Sequence, residues 1–105
     1  MNKLDLTAEQ WHIIDTIIAP YRNFLFVFGS RTSNQARRYS DLDLCLKLPN
    51  SDDSIKVMAD LNEQFCHSDL PFTVDLLNYW QLEPSFQKLI DQQATAWNHT
   101  VHKDW

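Results

Sequence analysis

The chain has 105 residues, 44% hydrophobic and 12% aromatic, enough for one compact core and not for two. Fourteen acidic and nine basic side chains leave a net charge of −5, which argues against a surface built to attract long nucleic acid. No run approaches the ~20 apolar residues needed to span a bilayer.

A single domain over residues 1–105 is therefore expected. Met1 to Asp5 is polar and the first apolar segment is amphipathic, so no export signal is predicted. Cys45 and Cys66 lack short metal-type spacing and are expected to be reduced thiols in a cytoplasm.

In chain order, Thr7-Ala8-Glu9-Gln10 reads as a capping box that opens a helix. Trp11, Ile14, Ile17 and Ile18 form its apolar stripe, and Pro20 ends the pattern near Ala19. His12, beside the stripe, reads as a surface or satisfied histidine. Phe24 to Phe28 is a continuous apolar, β-prone run that predicts a strand buried on both faces.

Gly29 follows, the only glycine where average usage would give about seven, and its position at the strand end points to a backbone requirement. Thr32 to Arg38 can make one or two helical turns capped by Ser30 or Thr32. Backbone N–H groups at that helix start would face the strand end as an anion site. Arg31, Arg37 and Arg38 concentrate positive charge in this connector, enough to hold a small anion such as a nucleoside triphosphate.

Next comes the acidic strand Ser40 to Leu46. Asp41 and Asp43 lie two apart and share one face, while Leu42, Leu44 and Leu46 point to the other. Pro49 to Asp53 is turn chemistry, followed by an N-cap with acids in the first helical turn. Ile55, Met58, Leu61, Asn62 and Phe65 define the inner face of that helix, which ends near His67. Pro71 to Leu77 predicts a third strand, with Val74 and Leu76 on one face and Thr73, Asp75 and Leu77 on the other. Glu83-Pro84 opens a last helix with Phe86, Leu89 and Ile90 inside. Thr95 to Trp105 carries no pattern that assigns it. The succession of helices and strands predicts an α/β (α+β) fold, a small mixed sheet of about three to four strands with helices packed on it.

Asp41, Asp43 and Asp75 each sit in strand context, where aspartate is depleted. Any one alone reads as a turn residue or a solvated position. Together they can converge, and carboxylates that close repel unless a cation neutralises them. Mg²⁺ suits such a donor set, and two ions could serve an in-line displacement at phosphorus. Gly29-Ser30 supplies a complement, a turn where phosphate can approach the backbone and a hydroxyl can donate.

Gly29-Ser30, a connector, then Asp41-Leu42-Asp43 resembles the signature of the DNA polymerase beta-like nucleotidyltransferase superfamily. With Arg31, Ser40 and Leu44 it looks most like the minimal nucleotidyltransferase branch, over roughly Ala19 to Leu77. The resemblance implies a polymerase beta-like fold, Mg²⁺ held by Asp41, Asp43 and Asp75, and a nucleotide held by Gly29, Ser30 and Arg31. Asp75 would bind metal or help deprotonate the attacking hydroxyl. It further implies AMP transfer from ATP to a tyrosine of an all-helical HEPN-type partner toxin, with the chain as antitoxin. Two other readings stand beside it: a non-catalytic neutralising subunit, and the catalytic subunit of a small-molecule, aminoglycoside-type nucleotidyltransferase. One departure from the pattern is Asn34, where many members carry a second glycine; asparagine tolerates left-handed backbone better than other non-glycine residues.

Weaker candidates complete the survey. His99 and His102 could share a helix face but lack a third ligand. Cys45 alternates onto the face of Asp41 and Asp43, whose charges would raise its pKa and oppose a nucleophilic role. Tyr39 reads as a packing or base-stacking residue. Trp97 and Trp105, with the last helix, are the expected apolar contact with a partner.

Overall fold

A computed structural model describes residues 2–29 and 41–104. The expected short helix over Thr32–Arg38, together with Ser30, Arg31, Asn34, Tyr39, Ser40 and Trp105, lies outside the described residues.

β1 (Asn2–Leu4) leads into α1 (Ala8–Ile18). Thr7 caps α1 as its sequence requires: its Oγ1 accepts from Gln10 N at 3.1 Å, and Gln10 Oε1 accepts from Thr7 N at 3.0 Å. Pro20 does not stop the chain from coiling. It opens a tighter 3₁₀ segment, Ala19–Phe24, where a proline near the first position costs no hydrogen bond. Phe24 is thus outside the strand expected to begin with it, and β2 runs Leu25–Phe28. β3 is Leu42–Leu46, α2 Ser54–Cys66, β4 Val74–Asn78 and α3 Pro84–Gln93. Two short strands, β5 (Thr95–Ala96) and β6 (Thr100–His102), flank a 3₁₀ turn at Trp97–His99.

Four strands form a mixed sheet in the order β4-β3-β2-β5, with β3 antiparallel to β2 and parallel to β4. β5 pairs antiparallel with β2, and β1 pairs parallel with β6 in a separate two-stranded ribbon. Leu25 and Val27 of β2 and Leu42, Leu44 and Leu46 of β3 are wholly buried in one core with Ile14 and Ile18 of α1 and Leu61 and Phe65 of α2. Each such side chain contributes about 1.5–3 kcal/mol by leaving water. The other face of β2 is only half-buried at Phe26 and Phe28, so the expectation of burial on both faces holds for one.

Several further expectations are corrected. α2 turns Val57 rather than Ile55 into the core, leaving Ile55 69% exposed, and Asp52 and Asp53 precede its first turn instead of lying in it. Leu89 is exposed at 39%, and α3 docks through Ile90 and Phe86. The tail is part of the core. Trp97 is fully buried, stacks on Trp11 with centroids 5.1 Å apart, and donates from Nε1 to Asp15 Oδ1 at 2.9 Å. Arg22 holds the same carboxylate at 2.7 and 3.0 Å. His99 and His102 lie in a 3₁₀ turn and a strand, not on one helix. Among the described residues no helix is long and apolar enough to cross a membrane.

Candidate active site

The sheet's pairing register brings the acidic residues together. Phe28, the last residue of β2, faces Asp43 across the antiparallel pair, and Asp43 faces Asp75 across the parallel one. Asp43 and Asp75 therefore stand side by side on the same sheet face, about 4.8 Å apart along the hydrogen-bonding direction. Asp41 precedes β3 by one residue and is exposed. The site thus collects at one end of the sheet, where β2 finishes and where β3 and β4 begin.

Gly29 sits against this pair with φ +85°, a backbone region that side chains disfavour. A Cβ there would collide with Asp43 Oδ2 and lie 3.1 Å from Asp43 Cγ. The sole glycine thus has two causes, a left-handed turn and the room its missing side chain leaves for a carboxylate. The second was not readable without the strand register.

Burial pushes the Asp43 carboxyl above its ordinary range, and the charges of Asp75 and Asp41 push it further. Like charges directly across a strand pair destabilise the sheet, so this arrangement is kept against its electrostatic cost. Among the described residues no three His, Cys, Asp or Glu side chains are gathered closely enough to hold a metal ion. Asp41 and Asp75 are both exposed, whereas Asp43 between them is half-buried.

Next along the same face, Cys45 is buried beneath α3 with Tyr79 and Ile90, and Phe28, Leu82, Phe86 and Ala94 pack around them. Burial pushes its thiol up to about 11; Lys47 opposes and Asp91 adds to the shift. The expected direction is right, but burial dominates it rather than the site's acids. Ionisation of this thiol is disfavoured at neutral pH.

A polar clamp, which the sequence did not announce, fixes α3 on that face. Lys47 Nζ meets Asp91 Oδ1 at 3.2 Å, the Tyr79 hydroxyl donates to Asp91 Oδ2 at 2.9 Å, and Lys47 lies 4.3 Å from the Tyr79 ring centroid. Burial pulls the Lys47 ammonium down, yet its contacts with Asp91 and Tyr79 leave it raised overall. The Tyr79 hydroxyl is raised by burial and by its bond to Asp91. The alternation Asp43, Cys45, Lys47 was the one available signal, since it sets all three on one face.

Residues 14–96 match the family model described as "Polymerase beta, Nucleotidyltransferase", a span that holds Gly29, Asp41, Asp43 and Asp75. The chain belongs to the polymerase beta-like nucleotidyltransferase superfamily, in its minimal nucleotidyltransferase branch, and is a nucleotidyltransferase. It is 35% identical over 92 residues to a relative from Haemophilus influenzae named "Probable protein adenylyltransferase MntA", covering 84% of this chain and 78% of the relative. The matched span is wider than the Ala19 to Leu77 core that carries the motif, and it takes in α3 and β5.

The donor set suits a hard divalent cation. Mg²⁺ takes oxygen ligands and is commonly held by one or two carboxylates with substrate phosphates. Asp43 and Asp75 in register, with Asp43 already raised by its neighbours, offer such oxygens at a place where positive charge relieves repulsion.

Proposed function

We propose that the chain transfers AMP from ATP to a tyrosine hydroxyl of an all-helical HEPN-type partner and so acts as its antitoxin. The observation that carries this reading is the register Phe28–Asp43–Asp75 beside Gly29. Similarity to a protein named as an adenylyltransferase supports the choice of donor group.

In this reading Asp41, Asp43 and Asp75 would hold Mg²⁺, one ion or two, which when bound supplies charge neutralisation at the phosphates. Gly29 keeps the turn open toward the triphosphate, with Ser30 and Arg31 assigned to its oxygens. The acceptor oxygen attacks the α-phosphorus, the bond from that phosphorus to the bridging oxygen breaks, and pyrophosphate leaves. The hydroxyl proton passes to Asp75, which is exposed at the sheet edge where an acceptor side chain can reach it. Cys45 takes no part. The single domain, with free thiols at Cys45 and Cys66, is assigned to the cytoplasm.

Incubation with labelled ATP and Mg²⁺, with and without the protein encoded next to it, followed by mass analysis of that partner, tests the reading. An added AMP on a partner tyrosine that disappears in Asp43→Asn is the expected result. Neutralisation by that variant without any transfer would replace the enzyme reading by a binding one.

A further inference from the structure

A cavity of about 770 Å³ lies away from the carboxylates. It lies between α1 and α2, the helices that cover the opposite face of the sheet. Its two walls differ in chemistry. From α1 come Ile13 and Ile17, one turn apart and half-buried, together with exposed His12 and Thr16; Ile14 and Ile18 beside them are fully buried in the core. Covering a sheet takes one apolar stripe, so Ile13 widens the stripe toward the cavity.

From α2 come Asp60, Glu63 and Gln64, spaced i, i+3, i+4 along one face, with its C-cap His67 and then Asp69 just beyond the helix. No lysine or arginine lines this cavity, and no ion pair among the described residues engages its three carboxylates. Asp60 also borders a second cavity of about 610 Å³, lined by Tyr21, Phe24, Asp53, Lys56 and Val57 among others; its lysine leaves the first cavity as the acidic one. The two cavities meet at Asp60, near the middle of α2, whose 13 residues span about 20 Å.

We propose that the groove between α1 and α2 docks a cationic amphipathic helix of a partner protein. The apolar edge of that helix lies on Ile13 and Ile17, and its lysine or arginine edge lies on Asp60, Glu63 and Asp69. Both walls are helices with backbone groups bonded internally, so no sheet edge is offered to an extended peptide, whereas a third helix fits a helix–helix groove. Polyanions are repelled by the same carboxylates. Among the described helices of a second copy none supplies the occupant: α1 carries no lysine or arginine, and α2 and α3 each carry a single lysine beside acids. Docking here is independent of the transfer chemistry, because the groove and Asp43 lie on opposite faces of the sheet.

The test uses a synthetic leucine–lysine helical peptide of about 16 residues, titrated into the whole labelled chain and followed by amide chemical shifts. Saturable binding is expected, with shifts confined to the amides of Ile13, Ile17, Asp60, Glu63 and His67. Affinity should fall about tenfold or more in Asp60→Lys/Glu63→Lys, which alters exposed positions only. It should hold in Glu9→Lys/Glu83→Lys, which changes net charge equally but lies outside the groove. The matching leucine–glutamate peptide should not bind. Absence of binding, shifts scattered over the surface, or equal losses in the two variants would overturn the proposal.

Discussion

The two faces of the central sheet have opposite chemistry, although the same strands build both. On one, mainly leucines, isoleucines and valines close an apolar core under α1 and α2. On the other, Asp43 and Asp75 stand abreast at one end, and only further along do Cys45, Tyr79 and Ile90 form a small second core under α3. The first face supplies stability, and the second uses some of it to hold like charges together. Since strand side chains alternate, one residue of slip in β3 would exchange the two faces, so the first core fixes the position of the carboxylates.

That division can be tested, first where function and stability should separate most widely. Asp43→Asn is expected to reduce AMP transfer on the order of 10³-fold, measured by turnover of labelled ATP. It should leave the fold intact or slightly more stable at neutral pH. The native carboxyl is raised, so its ionised form is the disfavoured one; the gain should fade as pH falls through the raised native value and be gone below the ordinary aspartate value of 3.8.

Trp97→Ala should do the reverse. It empties the centre of the core and strips a hydrogen bond from Asp15, costing about 3–5 kcal/mol in denaturant unfolding. Gly29→Ala falls between the two regions. Left-handed strain of about 1–2 kcal/mol adds to displacement of the Asp43 carboxylate, so both the unfolding midpoint and the transfer rate should drop.

The smallest effect concerns the clamp on α3. Tyr79 and Lys47 both bind their protons more tightly in the folded chain, so the stability they contribute is complete below their ordinary values and lost as pH rises through the raised ones. Thermal midpoints should therefore decline above about pH 10.0, the reference value for tyrosine, and Tyr79→Phe should shallow that decline. At pH 8, iodoacetamide should label exposed Cys66 and spare Cys45.

Much of this arrangement was legible in local pattern. Thr7 and Gln10 cap α1 through adjacent backbone groups, and Leu42, Asp43 and Leu44 alternate whatever lies beside them. Asp75 could be suspected as a carboxylate in an apolar strand, but its place opposite Asp43 depends on parallel pairing that no local pattern states. The tail was opaque for a similar reason. Thr95–His102 lacks periodicity because its elements are two or three residues long, and Trp97 is buried by residues more than eighty positions earlier in the chain. Ile55 and Leu89 misled because a helical stripe names a face without showing how far the neighbouring elements cover it.

The ribbon of β1 and β6 bears on how the molecule is made. Its strands, and the bond from Ala8 N to Asp104 Oδ2 across 96 positions, join distant parts of the chain, a closure whose entropy must be met before contact rewards it. Pairings this distant in sequence are slow to close. Where the Trp11–Trp97 stack beside them forms only after the main collapse, weakening it speeds unfolding and leaves the folding rate nearly unchanged, an outcome that the two arms of a Trp11→Phe chevron read directly.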